Sequence, residues 1–334
     1  MRLSTLDKIN YSNIVLIIVS CAIAIVFPFE LFLIAYAILG PLHYLTEISW
    51  LHNKQYYTKK KNDYFVLVGL TVLLSLPVLG MLFKTKIHMS DALITQLLYL
   101  SITAAIIFVF VENFIYRILF FVLALLTIKF SDNFYLILAV FLPTLIHVFL
   151  FTALFVLYGA LKTKSKSGYL SFWAMFLVPL ILFSVFQGPT SYKISNYGFN
   201  AYKSFEGINF FSLKLFSAID QTNSGTITNG IYFSSKGILL MRFIAFAYTY
   251  HYLNWFSKTE VIQWHKVPKR RLVTILVLWC ISIGAYAFNY KTGFQCLFFL
   301  SFLHVLLELP LNVVSIKGII LELFNHSTKK VSAK

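Results

Sequence analysis

Long runs of apolar residues, separated by short polar segments, extend over most of this chain. An α-helix needs ~20 mainly apolar residues to cross the hydrocarbon core of a bilayer. Ten runs fit this requirement, within the approximate limits 11–28, 30–53, 64–83, 91–111, 114–130, 134–161, 169–187, 237–257, 272–289 and 294–316. The first and fifth runs are short, so either can be a tilted or re-entrant piece. The pattern predicts an all-α, polytopic transmembrane helix bundle of about ten spans.

Composition supports a membrane protein. Of the 334 residues, 59% are hydrophobic and only 12% are charged, and 35 are phenylalanine. A water-soluble domain has no means of keeping so many large apolar side chains off its surface. The three cysteines lie inside apolar runs without a CxxC pair, so neither a disulfide framework nor a thiolate metal site is indicated.

Positive charge is concentrated in short clusters between the runs. The net charge is +16, yet the basic residues form no single stripe of the kind that binds nucleic acid, so we expect no nucleic-acid partner. The clusters Lys59–Lys61, Lys162–Lys166 and Lys269–Arg271 fall on one side of the membrane if ten spans are counted. Cytoplasmic loops carry an excess of Lys and Arg, so both termini are predicted to be cytoplasmic, next to anionic membrane lipids.

A single integral-membrane domain, 1–334, accounts for the whole pattern. The segment 188–236 between spans seven and eight is polar but rich in Tyr and Phe. It is too aromatic for a flexible linker, and we expect a loop or cap on the outer face. The first apolar run lacks a small-residue cleavage site, so no cleavable signal peptide is expected.

Two spans carry a histidine and a glutamate one helical turn apart. These pairs are His43 with Glu47 in span two and His304 with Glu308 in span ten. Residues i and i+4 share one face of a helix. Ionisable groups at membrane depth are costly and are by default functional candidates. Each pair is therefore predicted to face a polar point inside the bundle.

Two more histidines fall at a similar predicted depth on other spans. They are His147 in span six and His251 in span eight, and the polar residues nearby are Asn254 in span eight and Asn312 in span ten. Taken singly, each histidine is more simply a hydrogen-bonded core residue. Four histidines at one depth on four helices instead favour a common site, with Glu47 and Glu308 completing it or orienting a ligand.

Two other histidines are secondary candidates. His52 lies about half a turn round the helix from His43 and borders a basic cluster, which favours a role at the membrane interface. His265 follows span eight in a loop with two tryptophans, typical of an aromatic belt, and is a minor candidate for an extra ligand or proton donor.

Histidines and carboxylates without cysteine suit non-haem Fe(II) better than copper-thiolate or structural zinc chemistry. A b-type haem needs two facing histidines with space between them. His147 and His251 are surrounded by Phe, Leu and Tyr, so haem ranks below histidine-bound iron.

The segment GPLHYLTE, residues 40–47, resembles the Brp/Blh family of bacterial integral-membrane carotene-cleaving dioxygenases. The resemblance implies a helical bundle with histidine-bound Fe(II) that opens a polyene double bond with dioxygen. It also implies that His43 is one iron ligand and that a mid-chain histidine, here His147, is another. Span eight departs from the family pattern, since it offers His251 and Asn254 where the family has two histidines one turn apart.

Three functions remain open from the sequence. The first is a membrane oxygenase or related oxidoreductase acting on a lipid-soluble carotenoid-like or acyl-chain substrate, in the inner membrane of a bacterium. The second is a proton-coupled transporter that uses the histidines and glutamates as a relay. The third is a structural membrane protein with a polar core and no catalysis. Neither the substrate nor the oligomeric state follows from the residues.

Overall fold

The computed structural model describes residues 4–188, 190–215 and 224–331, and their side chains except those of residues 224, 225 and 325–331. Within these ranges the chain forms helices and connecting loops without a β-strand. The helices in chain order are α1 Thr5–Val26, α2 Pro28–Asn53, α3 Tyr64–Leu82, α4 Asp91–Phe110, α5 Phe114–Phe134, α6 Leu136–Thr163, α7 Lys166–Val185, α8 Asn196–Tyr202, α9 Glu206–Leu215, α10 Ser224–Tyr232, α11 Ser235–Ser257, α12 Thr259–Ile262, α13 Lys269–Phe288 and α14 Tyr290–Val331.

The predicted membrane bundle is confirmed. In the described part of the chain, nine helices are long and apolar enough to cross a bilayer. A tenth span results if Thr226–Tyr232 and Ser235–Ser257, which meet at a bend of 54°, count as one. Large apolar side chains on α5, such as Ile115 and Leu126, are exposed on the outside of the bundle, as lipid contact requires. The side of the membrane that each terminus faces stays a prediction.

The limits of three predicted spans change. Helix α1 has 22 residues and α5 has 21, so each has the length of a complete span. Helix α14 continues to Val331, and the predicted end of this span at residue 316 was wrong. Pro310 lies inside this helix without ending it. A proline is accepted within a membrane helix because neighbouring helices and side chains can satisfy the backbone groups that it leaves unpaired.

Helix α11 is the enclosed centre of one half of the bundle. It packs against α1, α2 and α6, and side chains such as Met241, Ala245 and Phe246 are fully buried. Helix α14 has the same role in the other half, against α2, α3, α4, α6 and α13. Burial among protein side chains explains how α11 and α14 carry polar residues that lipid would not accept.

The segment 188–236 is helical and packed. It contains α8, α9 and α10, while residue 189 and residues 216–223 lie outside the described chain. Glu30, at the start of α2, accepts hydrogen bonds from the Tyr192 hydroxyl at 2.7 Å and the Ser195 hydroxyl at 2.9 Å. Arg242 of α11 donates to the Ile25 carbonyl and to the Thr190 hydroxyl, both at 3.0 Å. These bonds fix the segment, called the cap below, to one end of the bundle.

Candidate metal centre

Four helices bring His43, His147, His251 and His304 together inside the bundle. They come from α2, α6, α11 and α14, and each is at most 6% exposed. The predicted common site is therefore present as a cluster of four buried imidazoles. We call these four residues the histidine cluster.

An irregular helix segment precedes His43, and another contains His147. In α2 a π-helical segment, Ala35–Leu39, comes just before Gly40 and His43. In α6 the π-helical segment Leu136–Phe151 contains Pro143 and departs from helical geometry at Thr144. An extra residue in a turn rotates the side chains that follow, and such π-segments are frequent at functional sites.

The Nε2 atoms of the cluster point at one another. The distance is 3.0 Å between His43 and His251 and 3.1 Å between His147 and His304. One ligand atom from each of the four lies within 4.8 Å of the other three. Nitrogens bound ~2.1 Å from one ion are roughly 3.0 Å apart at right angles and roughly 3.4 Å apart in a tetrahedron. The cluster can therefore hold a metal ion.

A hydrogen-bond network fixes the tautomer of His251. The Thr152 hydroxyl donates to the Val148 carbonyl at 3.0 Å and lies 2.8 Å from Nδ1 of His251. Because its only hydrogen is used, the hydroxyl accepts from Nδ1–H. Nε2 of His251 then presents a lone pair to the cluster, which is the form that binds a metal.

Glu308 lies next to His147, and not next to His304, with which its sequence spacing pairs it. Its Oε2 atom is 2.9 Å from Nδ1 of His147, although the two groups lack hydrogen-bond alignment. A carboxylate at Nδ1 favours a proton on that nitrogen and leaves the Nε2 lone pair for the cluster. Glu308 therefore lies beside Nδ1 of His147 on another helix, whereas Nδ1 of His304 has no hydrogen-bond partner among the described residues.

Glu47 lies on the opposite side of its histidine. Its Oε2 atom is 3.1 Å from Nε2 of His43, the same nitrogen that faces His251. Glu47 is thus on the ligand side of the imidazole, and its carboxylate is within reach of an ion held by the cluster. The two His-Glu pairs have the same sequence spacing but different positions relative to the centre.

The secondary candidates separate into two groups. Asn254 is buried, accepts from Tyr250 at 3.4 Å and lines a cavity beside the cluster, while Asn312 is buried with no hydrogen-bond partner for Nδ2. His52 is exposed and lies 3.3 Å from the Tyr56 hydroxyl, and His265 is exposed beside Trp264. Neither of these two histidines belongs to the cluster.

Three further residues at the site were not predicted from the sequence. Thr152 supports His251, the Tyr252 ring lies 5.3 Å from the His43 ring, and the Trp255 ring lies 5.5 Å from it. Trp255 also donates to the Thr46 hydroxyl at 3.0 Å. The available signal was their position, since Thr152 is an isolated polar residue after His147, and Tyr252 and Trp255 follow His251 within about one helical turn.

Two cavities adjoin the cluster from opposite directions. The cap cavity, of about 280 Å³, lies towards the cap, and its walls include His147, His251, His304, Tyr36, Tyr248, Tyr252, Phe205, Phe294 and Phe298. The lysine cavity, of about 580 Å³, extends to the end of the bundle where α1 begins, and its walls include His43, His251, Glu47, Glu308, Asn13, Asn254, Lys162 and Lys258. His251 borders both cavities.

No protein-family model, curated protein sequence or solved structure matches this chain.

Proposed function

We propose that this chain is a membrane-embedded non-haem iron oxygenase, or a related oxidoreductase, that acts on a hydrophobic, carotenoid-like or acyl-chain substrate. The observation that supports the proposal most directly is the proximity of four buried imidazoles, with two Nε2 pairs at 3.0 Å and 3.1 Å and one ligand atom from each residue within 4.8 Å of the others. Imidazole and carboxylate donors without thiolate suit Fe(II). Iron would supply the one-electron and dioxygen chemistry that amino-acid side chains lack.

In this proposal His43, His147, His251 and His304 hold the metal. Thr152 and Glu308 keep two of the imidazoles in the tautomer that binds it, and Glu47 is placed to contact it directly. The aromatic walls of the cap cavity bind the apolar part of the substrate next to three of the histidines. Burial of the cluster excludes bulk water, which protects reactive species from side reactions.

The first experiment is elemental analysis of the purified protein. We expect about one iron per chain in the wild type and less than a tenth of that in a variant with both His43→Ala and His304→Ala. A variant with His88→Ala and His265→Ala is the matched control, since both histidines are exposed and outside the cluster. Absence of stoichiometric iron, or full iron retention in the first variant, would refute the metal assignment.

The second experiment tests the reaction class. Purified protein would be incubated with ¹⁸O₂ and separate pools of carotenoids and acyl lipids, and products would be identified by mass spectrometry. Incorporation of ¹⁸O that requires His251 would support an oxygenase. Zinc in place of iron, or no oxygen-dependent product from either pool, would contradict redox chemistry at this site.

A proton-coupled transporter is the second candidate, and one observation favours it. Without a metal, the same Nε2 distances are those of imidazole-imidazole hydrogen bonds, which with Glu47 and Glu308 form a buried series of titratable groups. Flux driven by a pH gradient in liposomes, undiminished by chelators, would favour the transporter over the oxygenase. Unchanged biological function after replacement of all four histidines would instead favour a structural role.

A further inference from the structure

The lysine cavity is electrically asymmetric along its length. At its deep end it is bordered by the carboxyl groups of Glu47 and Glu308, next to the histidine cluster. At its other end it is bordered by Lys258, which follows α11, and by Lys162, in the last turn of α6. The wall between these ends is mainly apolar and includes Phe155, Val156 and Leu311.

Lys258 has no carboxylate partner. Among the described residues, no Asp or Glu oxygen comes within 4.0 Å of its ammonium group. Loss of surrounding water lowers the pKa of Lys258 to about 8, so the group remains mostly cationic at pH 7. The ammonium of Lys162 lies 6.0 Å over the Tyr158 ring, also without a carboxylate. A cation at the end of an apolar cavity is stabilised by an anionic ligand.

The position of His251 links this cavity to the cap cavity. It borders both, and Lys258, directly after the end of α11, lies seven positions further along the chain. At 1.5 Å per residue, this separation is about 10 Å. A long, thin molecule whose anionic end lies at Lys258 therefore presents a bond in its middle to the histidine cluster, with its far end in the cap cavity.

We propose that the substrate is a linear amphiphile with an anionic head, of the long-chain carboxylate class, bound with its head at Lys258 and Lys162 and its chain across the histidine cluster. This inference rests on the proposed oxygenase function and adds the orientation of the substrate. In the reverse orientation the anionic head would lie in the cap cavity, whose walls among the described residues include no lysine or arginine. The aromatic cap cavity accepts an apolar tail.

Binding measurements on metal-free protein test the head-group contact. Stearate and stearyl alcohol, radiolabelled and presented in detergent micelles, would be compared on wild type after chelation. We expect the double variant Lys258→Gln with Lys162→Gln to bind stearate at least tenfold more weakly and the alcohol within twofold of wild type. The control double variant Lys266→Gln with Lys166→Gln changes two exposed lysines that do not border the cavity, and it should bind both ligands normally.

The alcohol also reports folding, since a misfolded variant would lose both ligands. Unchanged stearate binding in the Lys258 and Lys162 variant, or equal loss of acid and alcohol in a variant that elutes as a folded monodisperse species, would overturn the proposal. Because no metal is present, these results stand apart from the iron question. Iron bound by a protein that does not distinguish acid from alcohol would overturn this inference alone.

A photoreactive stearate with a mid-chain diazirine tests the position of the tail. Mass spectrometry should map the crosslinks to cavity walls near His251, such as Tyr252, Thr152 and Val148. Crosslinks confined to outward-facing residues of α5, such as Leu126, would show binding as a bulk lipid and would contradict the proposal.

Discussion

The Thr152 hydroxyl lies 2.8 Å from Nδ1 of His251 and gives its own hydrogen to the Val148 carbonyl at 3.0 Å. This arrangement leaves the hydroxyl as an acceptor and so places the His251 proton on Nδ1. A residue outside the cluster thereby leaves Nε2, the nitrogen that faces His43, without a proton. Such outer partners of ligand histidines commonly contribute a tenfold to hundredfold effect on metal affinity.

Replacement of Thr152 by Val should weaken metal binding by roughly 10–100-fold with little effect on folding, because the shape is kept and the hydroxyl loses only its bonds to His251 and to the Val148 carbonyl of its own helix. Competition with a chelator of known affinity measures the change. Thr71→Val is the control, since Thr71 is equally buried but bonds only to the Leu67 carbonyl of its own helix. Equal metal affinity in wild type and Thr152→Val would refute the orienting role.

Replacement of Glu308 by Gln should also lower metal affinity by roughly 10–100-fold, because the carboxylate next to Nδ1 of His147 is removed. The same chelator competition applies. Glu322→Gln, about four turns further along the same helix and less deeply buried, should leave affinity unchanged. If both variants bind metal equally well, Glu308 is a structural residue and does not support a ligand.

A buried ion pair outside the site joins Arg117 of α5 to Asp63, the residue before α3. The two terminal nitrogens of Arg117 donate to the Asp63 carboxylate at 2.6 Å and 3.0 Å, and Nε donates to the Val111 carbonyl at 2.8 Å. Arg117→Met leaves Asp63 buried without its cation, which should cost about 3–5 kcal/mol. Denaturant unfolding in mixed micelles measures this cost.

The double variant Arg117→Met with Asp63→Leu provides the matching comparison. Replacement of a whole buried ion pair by apolar side chains is often close to neutral. We therefore expect the double variant to be more stable than Arg117→Met alone. A double variant at least as unstable as the single variant would show that the hydrogen bond to Val111, rather than the ion pair, holds the region.

Glu30 should control how firmly the cap is held. Glu30→Ala removes the acceptor of the Tyr192 and Ser195 hydrogen bonds, so the chain around exposed Lys193 should open more often. Trypsin cleavage after Lys193 is expected to become several-fold faster, as followed by mass spectrometry. The control is Glu112→Ala, at an exposed position in a different loop. Identical cleavage rates in both variants would contradict this role for Glu30.

Much of the fold follows from hydropathy, because the length of a membrane helix is set by the bilayer and its backbone must bond within itself. The span with the weakest apolar signal, Ser235–Ser257, meets the criterion only together with Thr226–Tyr232. Its polar residues are tolerated because neighbouring helices enclose α11 on most sides. The prediction ended the last span at residue 316, where the apolar run ends. The helix itself continues to Val331, because the residues after 316 contain no helix-ending signal.

The residues of the cluster were also predictable, since rise per residue converts sequence position into depth within a span of known direction. The partners of Glu308 and His251 were not. Sequence spacing pairs Glu308 with His304, but the structure places its carboxylate on His147, and Thr152 was not a candidate. Contacts between helices depend on their rotation about their own axes, which short-range periodicity does not specify.

The sequence by itself determined that the chain is a helical membrane bundle and that four histidines lie at one depth, since hydrophobic length and helical rise are local properties. Only the tertiary structure decided that their Nε2 atoms meet, that Glu47 faces the centre while Glu308 lies behind His147, and that two cavities adjoin at His251. These features arise from packing among four helices distant in sequence, including the turns of α2 and α6 that the π-helical segments rotate.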